Sequence, residues 1–442
     1  MNLTQSTPQG STPHTSITKV AVASFIGTAI EWYDFFLYGT AAALIFNKLF
    51  FPTFDPLSGT LAAFGTYAVG FVARPLGGVV FGHYGDKIGR KTMLSLTLLL
   101  MGIATFVVGL LPTYETIGMW APAMLVILRL LQGFGVGGEW GGAVLMAVEH
   151  APAGKRGFYG SWPQVGVPAG LLLSTGVFAL VSRLPEEQLL AWGWRIPFLL
   201  SLLLVGVGLF IRLRITETPA FNRIQESGTI VRIPLLDAIR SHPRNILLAM
   251  GARLAENGVF YIYSVFVLVY VTEQLKLPRS VVLNGVLLAT AAELVAIPLF
   301  GALSDRIGRR PVYMGGAAFS ALFAFPFFWL LDTQQPWLLW LAIVLGLGLG
   351  HGAMYGPQAS FFSELFGARV RYSGASLGYQ LASVFAGGLS PIIATSLLQW
   401  SLGSPWPVAL YMMTMALITL VSVYLAAETW QEDLLEGTDP PS

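Results

Sequence analysis

Charged side chains stand inside long apolar stretches of this sequence, and their types and spacing limit the chemistry they can do. A charged residue at the centre of a lipid bilayer costs about 2.5 to 3.5 kcal/mol, so such a residue marks a functional site. A carboxyl group there can bind and release a proton, whereas a guanidinium can hold a carboxylate through two parallel hydrogen bonds. The set comprises Glu31, Asp34, Arg74, Arg129, Glu139, Arg253, Glu256 and Glu293.

Two groupings of these residues follow from helical spacing. Glu31 and Asp34 share one helix face, with Tyr38 close to it. Arg253 begins a second stripe with Asn257 that suits binding of a carboxylate on a hydroxylated or cyclic metabolite. The alternative is that Arg253 and Glu256 neutralise each other and only pack.

Other polar residues in apolar segments are expected to line a cavity near the middle of the membrane. They are Gln164, Tyr261, His351, Tyr355, Gln358, Tyr379 and Gln380. For His351, a packing role and a titrating role remain equally open. For Arg74, within Ala-Arg-Pro-Leu-Gly-Gly, a framework role is favoured over anion binding.

The composition requires a membrane to position these residues. Only 11% of the 442 residues are charged, 55% are hydrophobic and the mean hydropathy is +0.67, whereas soluble proteins carry roughly 25% charged residues. Cysteine is absent, which excludes disulfides and thiolate-bound metals, and we expect neither a metal nor another cofactor. Basic residues form no clustered face for nucleic acid.

The predicted fold is an all-α membrane protein with twelve spanning helices. A bilayer core of about 30 Å needs about 20 apolar residues per helix, and the alternating pattern of a barrel is not found. The predicted helices are 20–47, 60–84, 92–112, 118–148, 158–182, 195–213, 244–272, 280–303, 311–331, 337–362, 372–398 and 406–427.

The connections predict the domain organisation. The longest polar connection, 214–243, separates two six-helix bundles at 20–213 and 244–427, flanked by tails at 1–19 and 428–442. Most Lys and Arg residues of the connections fall on one side, which predicts that both tails are cytoplasmic and that the protein lies in the cell inner (plasma) membrane.

An internal repeat supports two related halves. The sequence GHYGDKIGRK at 82–91 recurs as GALSDRIGRR at 301–310, 219 residues later. Glu149 and Arg156 are likewise echoed by Glu364 and Arg371. Two charged signatures at nearly one period indicate a duplicated six-helix unit.

These repeated loops resemble the signature loop of the major facilitator superfamily, and other motifs resemble its metabolite:proton symporters over residues 20–427. The motifs are EWYDF at 31–35, FVARPLGG at 71–78, RLLQG at 129–133, GGEWG at 137–141, GWRIPF at 193–198 and ETP at 217–219. Shikimate transporters look most similar, through WYDFFLYG at 32–39, GLLLSTG at 170–176, RLAE at 253–256 and RYSGASLGYQ at 371–380.

The resemblance implies two further roles. Asp34 and Arg129 would form a proton-coupling pair, with Glu31 and Glu139 as weaker candidates, unless Asp34 and Arg129 only make a static ion pair. Two ion-pair clusters would gate the cytoplasmic side and lock the outward-open state. Their residues are Asp86, Arg90, Glu149 and Arg156 in one half and Asp305, Arg309, Glu364 and Arg371 in the other.

The predicted function is alternating-access import of a small polar metabolite with protons. A hydroxylated organic acid such as shikimate is the first expectation; betaine or proline, or a di- or tricarboxylate, are the alternatives. The expected partners are the substrate, protons and the lipid bilayer, with no nucleic acid, and we expect a monomer. An enzyme is disfavoured because no catalytic constellation is recognisable, and a nutrient receptor is disfavoured because the tails are short.

Overall fold

The architecture comes from a computed structural model of the chain. It describes residues 17–88, 90–137, 140–149, 151–152, 154–213, 239–240, 242–366 and 371–431, with some side chains inside these ranges left undescribed. Throughout these ranges the regular structure is helical. The all-α expectation is therefore confirmed.

Twelve long helical segments account for most of the described chain. The first six are α1 (Ile17–Leu44), α2 (Pro56–Ile88), α3 (Arg90–Leu110), α4 (Trp120–Val136, resuming as Trp140–Glu149), α5 (Arg156–Val181) and α6 (Arg195–Leu213). The other six are α7 (Pro243–Gln274), α8 (Arg279–Ile307), α9 (Arg309–Asp332), α10 (Pro336–Glu364), α11 (Arg371–Ser383, resuming as Ser390–Trp400) and α12 (Trp406–Leu425). Short helices at Phe46–Phe50, Tyr114–Ile117 and Glu186–Gln188 lie in connections.

Several helices run further than the predicted apolar segments because polar turns at their ends continue the helical backbone, whereas α1, α3 and α12 end two or three residues before their predicted ends. α2 begins four residues before its predicted start, and α8 continues to Ile307. In contrast, predicted helix 118–148 is described in two segments. Wide π-type turns occur at Ile262–Phe266 in α7, Gly346–His351 in α10 and Val384–Gly388 in α11.

Membrane-spanning character is evident from length and composition. Eight described helices are long and apolar enough to cross a membrane, and the bent pair Glu186–Gly193 with Arg195–Phe210 makes a ninth. Large apolar side chains such as Leu203, Leu322 and Trp329 point outward and are 67%, 81% and 64% exposed. Such faces fit lipid tails rather than water.

The helices of the N-terminal half (α1–α6) and of the C-terminal half (α7–α12) meet along several helix pairs. α5 packs along α8 and α10, α2 packs against α11, and α1 touches α7. These pairs enclose a space that four of the predicted site residues line. The bundle boundaries at 20–213 and 244–427 stay a prediction, and residues 214–238 and 241 of the predicted linker lie outside the described residues.

Candidate functional site

A narrow, cleft-like cavity lies between the two halves; the space between its atoms totals about 420 Å³, a figure that includes open solvent at its mouth. Helices α1, α2, α4 and α5 supply one wall, and α11 supplies the other. Its polar lining residues are Thr28, Glu31, Arg74, Gln164, Tyr379 and Gln380. Four of these six, all but Thr28 and Arg74, were predicted from the sequence to be site residues.

Arg74 is the cation of this cavity wall. Its side chain is fully buried, with its guanidinium carbon 4.1 Å from the ring centre of Phe35 and 4.3 Å from that of Phe71. Neither Nε nor Nη2 has a hydrogen-bond partner among the described residues. A buried guanidinium with unsatisfied donors is costly, and an anionic ligand in the cavity would satisfy them.

A stack of three side chains crosses the boundary between the halves. The rings of Trp140 (α4) and Tyr379 (α11) are nearly parallel, with centres 3.7 Å apart. Arg253 lies on Tyr379, with its guanidinium carbon 3.2 Å from the ring centre. The Trp140 indole also donates to Gln164 Oε1 at 3.0 Å, so both halves shape this side of the cavity.

Gln380 contributes an acceptor to the cavity. Its Nε2 donates to the Gly137 carbonyl oxygen of α4 at 3.1 Å. Its Oε1 is buried and has no hydrogen-bond partner among the described residues. A ligand hydroxyl is the natural donor for such an atom.

Arg253, the predicted carboxylate ligand, already has protein partners. Its Nη1 donates to Glu256 Oε2 at 2.6 Å and to Gln358 Oε1 at 2.9 Å, and its Nε donates to Ser383 at 3.1 Å. The pair that the sequence offered as an alternative is therefore present. Gln358 also donates to Glu256 and to Tyr313, which ties α7, α9 and α10 together.

His351 lies on the far side of Glu256. Its Nε2 is 3.1 Å from Glu256 Oε1, and its Nδ1 contacts Glu293 Oε1. Phe260 and Tyr355 flank the imidazole at ring-centre distances of 4.6 and 4.8 Å. Glu293 was recognised as an intramembrane charge but was not predicted as a site residue.

Asp34 and Arg129, the predicted coupling pair, make no ion pair with each other in the described structure. Asp34 is fully buried and accepts a hydrogen bond from Ser201 at 2.5 Å. Arg129 lies against the rings of Phe35, Tyr38 and Tyr67 at 4.0 to 4.5 Å.

A hydrogen-bond chain extends from Arg129 toward Asp34. Arg129 donates to Gln132 Oε1 at 3.0 Å, and Gln132 donates to the Thr105 hydroxyl at 2.7 Å. The Thr105 hydroxyl lies near the Asp34 carboxyl but donates to the Met101 carbonyl oxygen at 2.9 Å. Among the described residues the chain therefore ends at Thr105 and does not join Arg129 to Asp34 by hydrogen bonds.

Three predicted gating residues of the C-terminal half form one buried cluster. Arg309 binds Glu364 through two hydrogen bonds of 3.1 and 3.0 Å and binds Asp305 at 2.7 Å. Asp305 also accepts from the backbone N–H groups of Gly157 and Phe158, at 2.7 and 2.9 Å. The cluster therefore reaches across to the first turn of α5, which begins at Arg156.

Charged contacts also bridge the halves at the opposite end of the molecule. Glu186 pairs with Lys48 and lies 3.4 Å from Arg279 of α8. Lys48 and Glu186 are exposed, by 42% and 54%, and Arg279 is half-buried, with 23% of its side chain exposed. Such contacts are weak because water screens them.

The remaining predicted residues fall into three groups. Tyr38 bonds Thr66 at 2.6 Å inside the N-terminal half, away from the cavity lining. Asn257 and Tyr261 are buried on α7, with Asn257 Oδ1 and the Tyr261 hydroxyl lacking partners among the described residues. Glu139, and the side chains of Asp86, Arg90, Glu149 and Arg371, lie outside the described residues.

A long-helix membrane protein with a polar cavity between two halves is a membrane transporter by architecture. Residues 24–391 match the Major Facilitator Superfamily, and the chain belongs to that family. Its relatives and structural neighbours are transporters and not enzymes.

Relatives with named functions match nearly the whole chain. The shikimate transporter of Escherichia coli is 47% identical over 415 residues, covering 93% of this chain and 94% of that protein. The proline/betaine transporter of Salmonella typhimurium is 36% identical over 441 residues, covering 96% and 86%. The crystal structure of a D-xylose-proton symporter superposes with a TM-score of 0.73 at 18% identity, covering 94% and 99%, which supports the fold.

Proposed function

We propose that this chain imports a small organic acid together with protons by alternating access. We place it in a bacterial inner membrane, as a monomer with both termini in the cytoplasm. A hydroxylated carboxylate such as shikimate is the favoured substrate. A zwitterionic osmolyte, or a di- or tricarboxylate, is the alternative.

The proposed substrate class depends mainly on Arg74. Its fully buried guanidinium lines the cavity with two donors that have no partner in the described part of the chain, the arrangement that a carboxylate satisfies. Arg253 has its charge matched by Glu256, so we assign Arg253 to holding Tyr379 and not to the substrate. Shikimate, proline and betaine, named for the relatives, all carry one carboxylate.

Gln380 favours the hydroxylated acid within that class. Its unpartnered Oε1 would accept a hydrogen bond from a substrate hydroxyl. Betaine has no donor to offer, so it would leave this buried acceptor unsatisfied, at a cost of about 1 to 3 kcal/mol. Gln164 and Tyr379 complete the proposed contact surface.

Asp34 is the proposed proton carrier. Burying a carboxylate with no cation beside it is costly, and protonation removes that cost. Hydrogen bonds from Arg129 through Gln132 reach Thr105, which lies near Asp34, so Arg129 is the cation best placed to act on Asp34 when the helices move. A movement of α3 relative to α1 would change the effect of the Arg129 charge on the Asp34 carboxyl. Proton coupling requires such a change in the surroundings of the proton carrier.

The test is uptake of labelled shikimate into proteoliposomes under an inward proton gradient, with quinate, 2-oxoglutarate, citrate, proline and betaine as competitors. The proposal expects accumulation that depends on the gradient and that quinate blocks better than betaine does. Competition by betaine or proline alone would assign the osmolyte class. Equilibration without accumulation would refute the symport mechanism.

A further inference from the structure

His351 is held between two carboxyl groups in the interior of the C-terminal half. Glu256 comes from α7, Glu293 from α8 and His351 from α10. All three side chains are at most 2% exposed. This arrangement is separate from the cavity lining and from the Asp34 region of the N-terminal half.

The hydrogen-bond inventory of the cluster requires a proton beyond that of a neutral imidazole. A neutral imidazole has one N–H, and an ionised carboxylate only accepts. Here both ring nitrogens of His351 face carboxyl oxygens, Nε2 toward Glu256 and Nδ1 toward Glu293. Both contacts are hydrogen bonds only when an extra proton is present.

The charges of the cluster also require one added proton. Arg253, paired with Glu256, is the permanent cation of the cluster, and Glu256 and Glu293 are its two acids. One added proton therefore makes the buried cluster neutral, and losing it leaves one net negative charge in the interior. The titratable and charged groups that surround His351 on the packed helices are Arg253, Glu256, Glu293, Tyr313, Tyr355 and Tyr379.

We propose that Glu256, His351 and Glu293 form a second proton-binding site, which carries one proton per transport cycle. This proposal rests on the proton coupling proposed above and adds to the role of Asp34. The proton lies between His351 Nδ1 and Glu293 Oε1 when the site is loaded. Its release leaves the imidazole neutral and Glu293 ionised.

The surroundings of the cluster provide a link to the transport cycle. Gln164 of α5 donates to the backbone oxygen of Tyr355 at 3.4 Å, so the N-terminal half holds the residue whose ring covers His351. Separation of the halves would break this contact and uncover the imidazole. Glu293 Oε2 has no partner among the described residues, which leaves an acceptor for an entering water.

The experiment measures the number of protons moved per substrate in proteoliposomes, from the accumulation limit at zero membrane potential. Glu293→Gln removes the negative charge that requires the proton, and His351→Gln removes the proton-bearing ring. Thr290→Val, one turn away on α8, is the matched control because its hydroxyl bonds the Val286 backbone oxygen and makes no other hydrogen bond among the described residues. The limit does not depend on how many molecules are active, so partial misfolding does not alter it.

Under a proton gradient of about tenfold, one proton fewer per substrate lowers the accumulation limit about tenfold. That loss is expected in Glu293→Gln and not in Thr290→Val, whereas His351→Gln keeps both acids and therefore the charge that requires the proton. An unchanged limit in Glu293→Gln, with gradient-driven accumulation intact, would overturn the second site while leaving the proposed function standing. Absence of gradient-driven accumulation in the unmodified protein would refute both.

A second measurement covers variants that do not transport. The purified protein is titrated with acid in detergent, and proton uptake is followed with a pH-sensitive dye. Glu293→Gln is expected to take up one proton fewer than Thr290→Val between alkaline and mildly acidic pH. Equal uptake would overturn the proposal.

Discussion

Asp305 of α8 caps the first turn of α5 at Gly157, where its Oδ1 accepts the backbone N–H at 2.7 Å. The other oxygen accepts from Phe158 at 2.9 Å. A carboxylate at a helix N-terminus is stabilised by the free N–H groups and the helix dipole. Because α8 and α5 belong to different halves, this contact joins the two halves at one end of the molecule.

Asp305→Asn is predicted to open that end. The amide carries no charge, so the cap on α5 and the ion pair with Arg309 both weaken. A charge-assisted hydrogen bond contributes about 1.5 kcal/mol or more, which corresponds to about a tenfold shift in population. The chain has no cysteine, so a single Ser360→Cys at this boundary reports opening through its maleimide labelling rate.

The matched control is Asp55→Asn, at a residue that bonds Ser58 in its own loop. Labelling of Ser360→Cys should be about tenfold faster with Asp305→Asn and unchanged with Asp55→Asn. Equal labelling rates in all three proteins would show that Asp305 does not act as a gate.

Glu186→Gln is predicted to have little effect on the opposite end. The contacts of Glu186 with Lys48 and Arg279 are exposed to solvent, and exposed pairs contribute little. Initial uptake rates should stay within about twofold of the unmodified protein at low and high salt. A tenfold change would mean that these contacts control opening despite their exposure.

Tyr379 is predicted to act through its ring and not through its hydroxyl. The ring stacks between Trp140 and Arg253, whereas the hydroxyl has no hydrogen-bond partner among the described residues. Tyr379→Phe should therefore keep the substrate KM. Tyr379→Leu should raise it roughly 3- to 10-fold, as expected for loss of stacking and cation–π contacts.

Substrate competition curves on both Tyr379 variants provide the measurement. If Tyr379→Phe raises KM as much as Tyr379→Leu does, the hydroxyl contacts the substrate. That result would replace the stacking role with a hydrogen-bonding one.

Asp34→Asn is predicted to lower the accumulation limit while sparing exchange. The amide mimics a permanently protonated carboxyl, so the proton can no longer be released and one proton fewer is moved per substrate. Counterflow of labelled substrate needs no proton gradient and should persist, whereas the accumulation limit should fall about tenfold under a proton gradient of about tenfold, to the limit that the second proton-binding site alone supports. Ser174→Ala is the control, because that buried hydroxyl bonds the Leu171 backbone oxygen and makes no other hydrogen bond among the described residues. An unchanged accumulation limit in Asp34→Asn would exclude Asp34 as a proton carrier.

The fold was predictable because its determinants are local and repeated. Twelve apolar segments of membrane-spanning length and a duplicated loop require no knowledge of which helices touch. The family resemblance implied that residues such as Arg309 and Glu364 form an ion-pair cluster, and in the C-terminal half these two are paired.

The site was predictable only as a set of residue types. Whether a guanidinium is paired or available depends on contacts between helices that are distant in sequence. Arg253 and Arg74 have the same chemistry in an apolar run, yet the first has Glu256 and the second has unpartnered donors. Glu293 was recognised as an intramembrane charge but not as a site residue for the same reason, since its contact with His351 joins positions 58 residues apart.

The central claim is that Arg74 holds the carboxylate of the substrate, and ligand charge tests it most directly. Competition by shikimate and by its uncharged methyl ester is measured on the unmodified protein and on Arg74→Gln, with Arg253→Gln for comparison. The unmodified protein should prefer the acid about 10- to 100-fold, as a charged hydrogen-bonded contact predicts, and Arg74→Gln should lose that preference. An acid preference that survives in Arg74→Gln and disappears in Arg253→Gln would contradict this claim and would show that Arg253 binds the carboxylate.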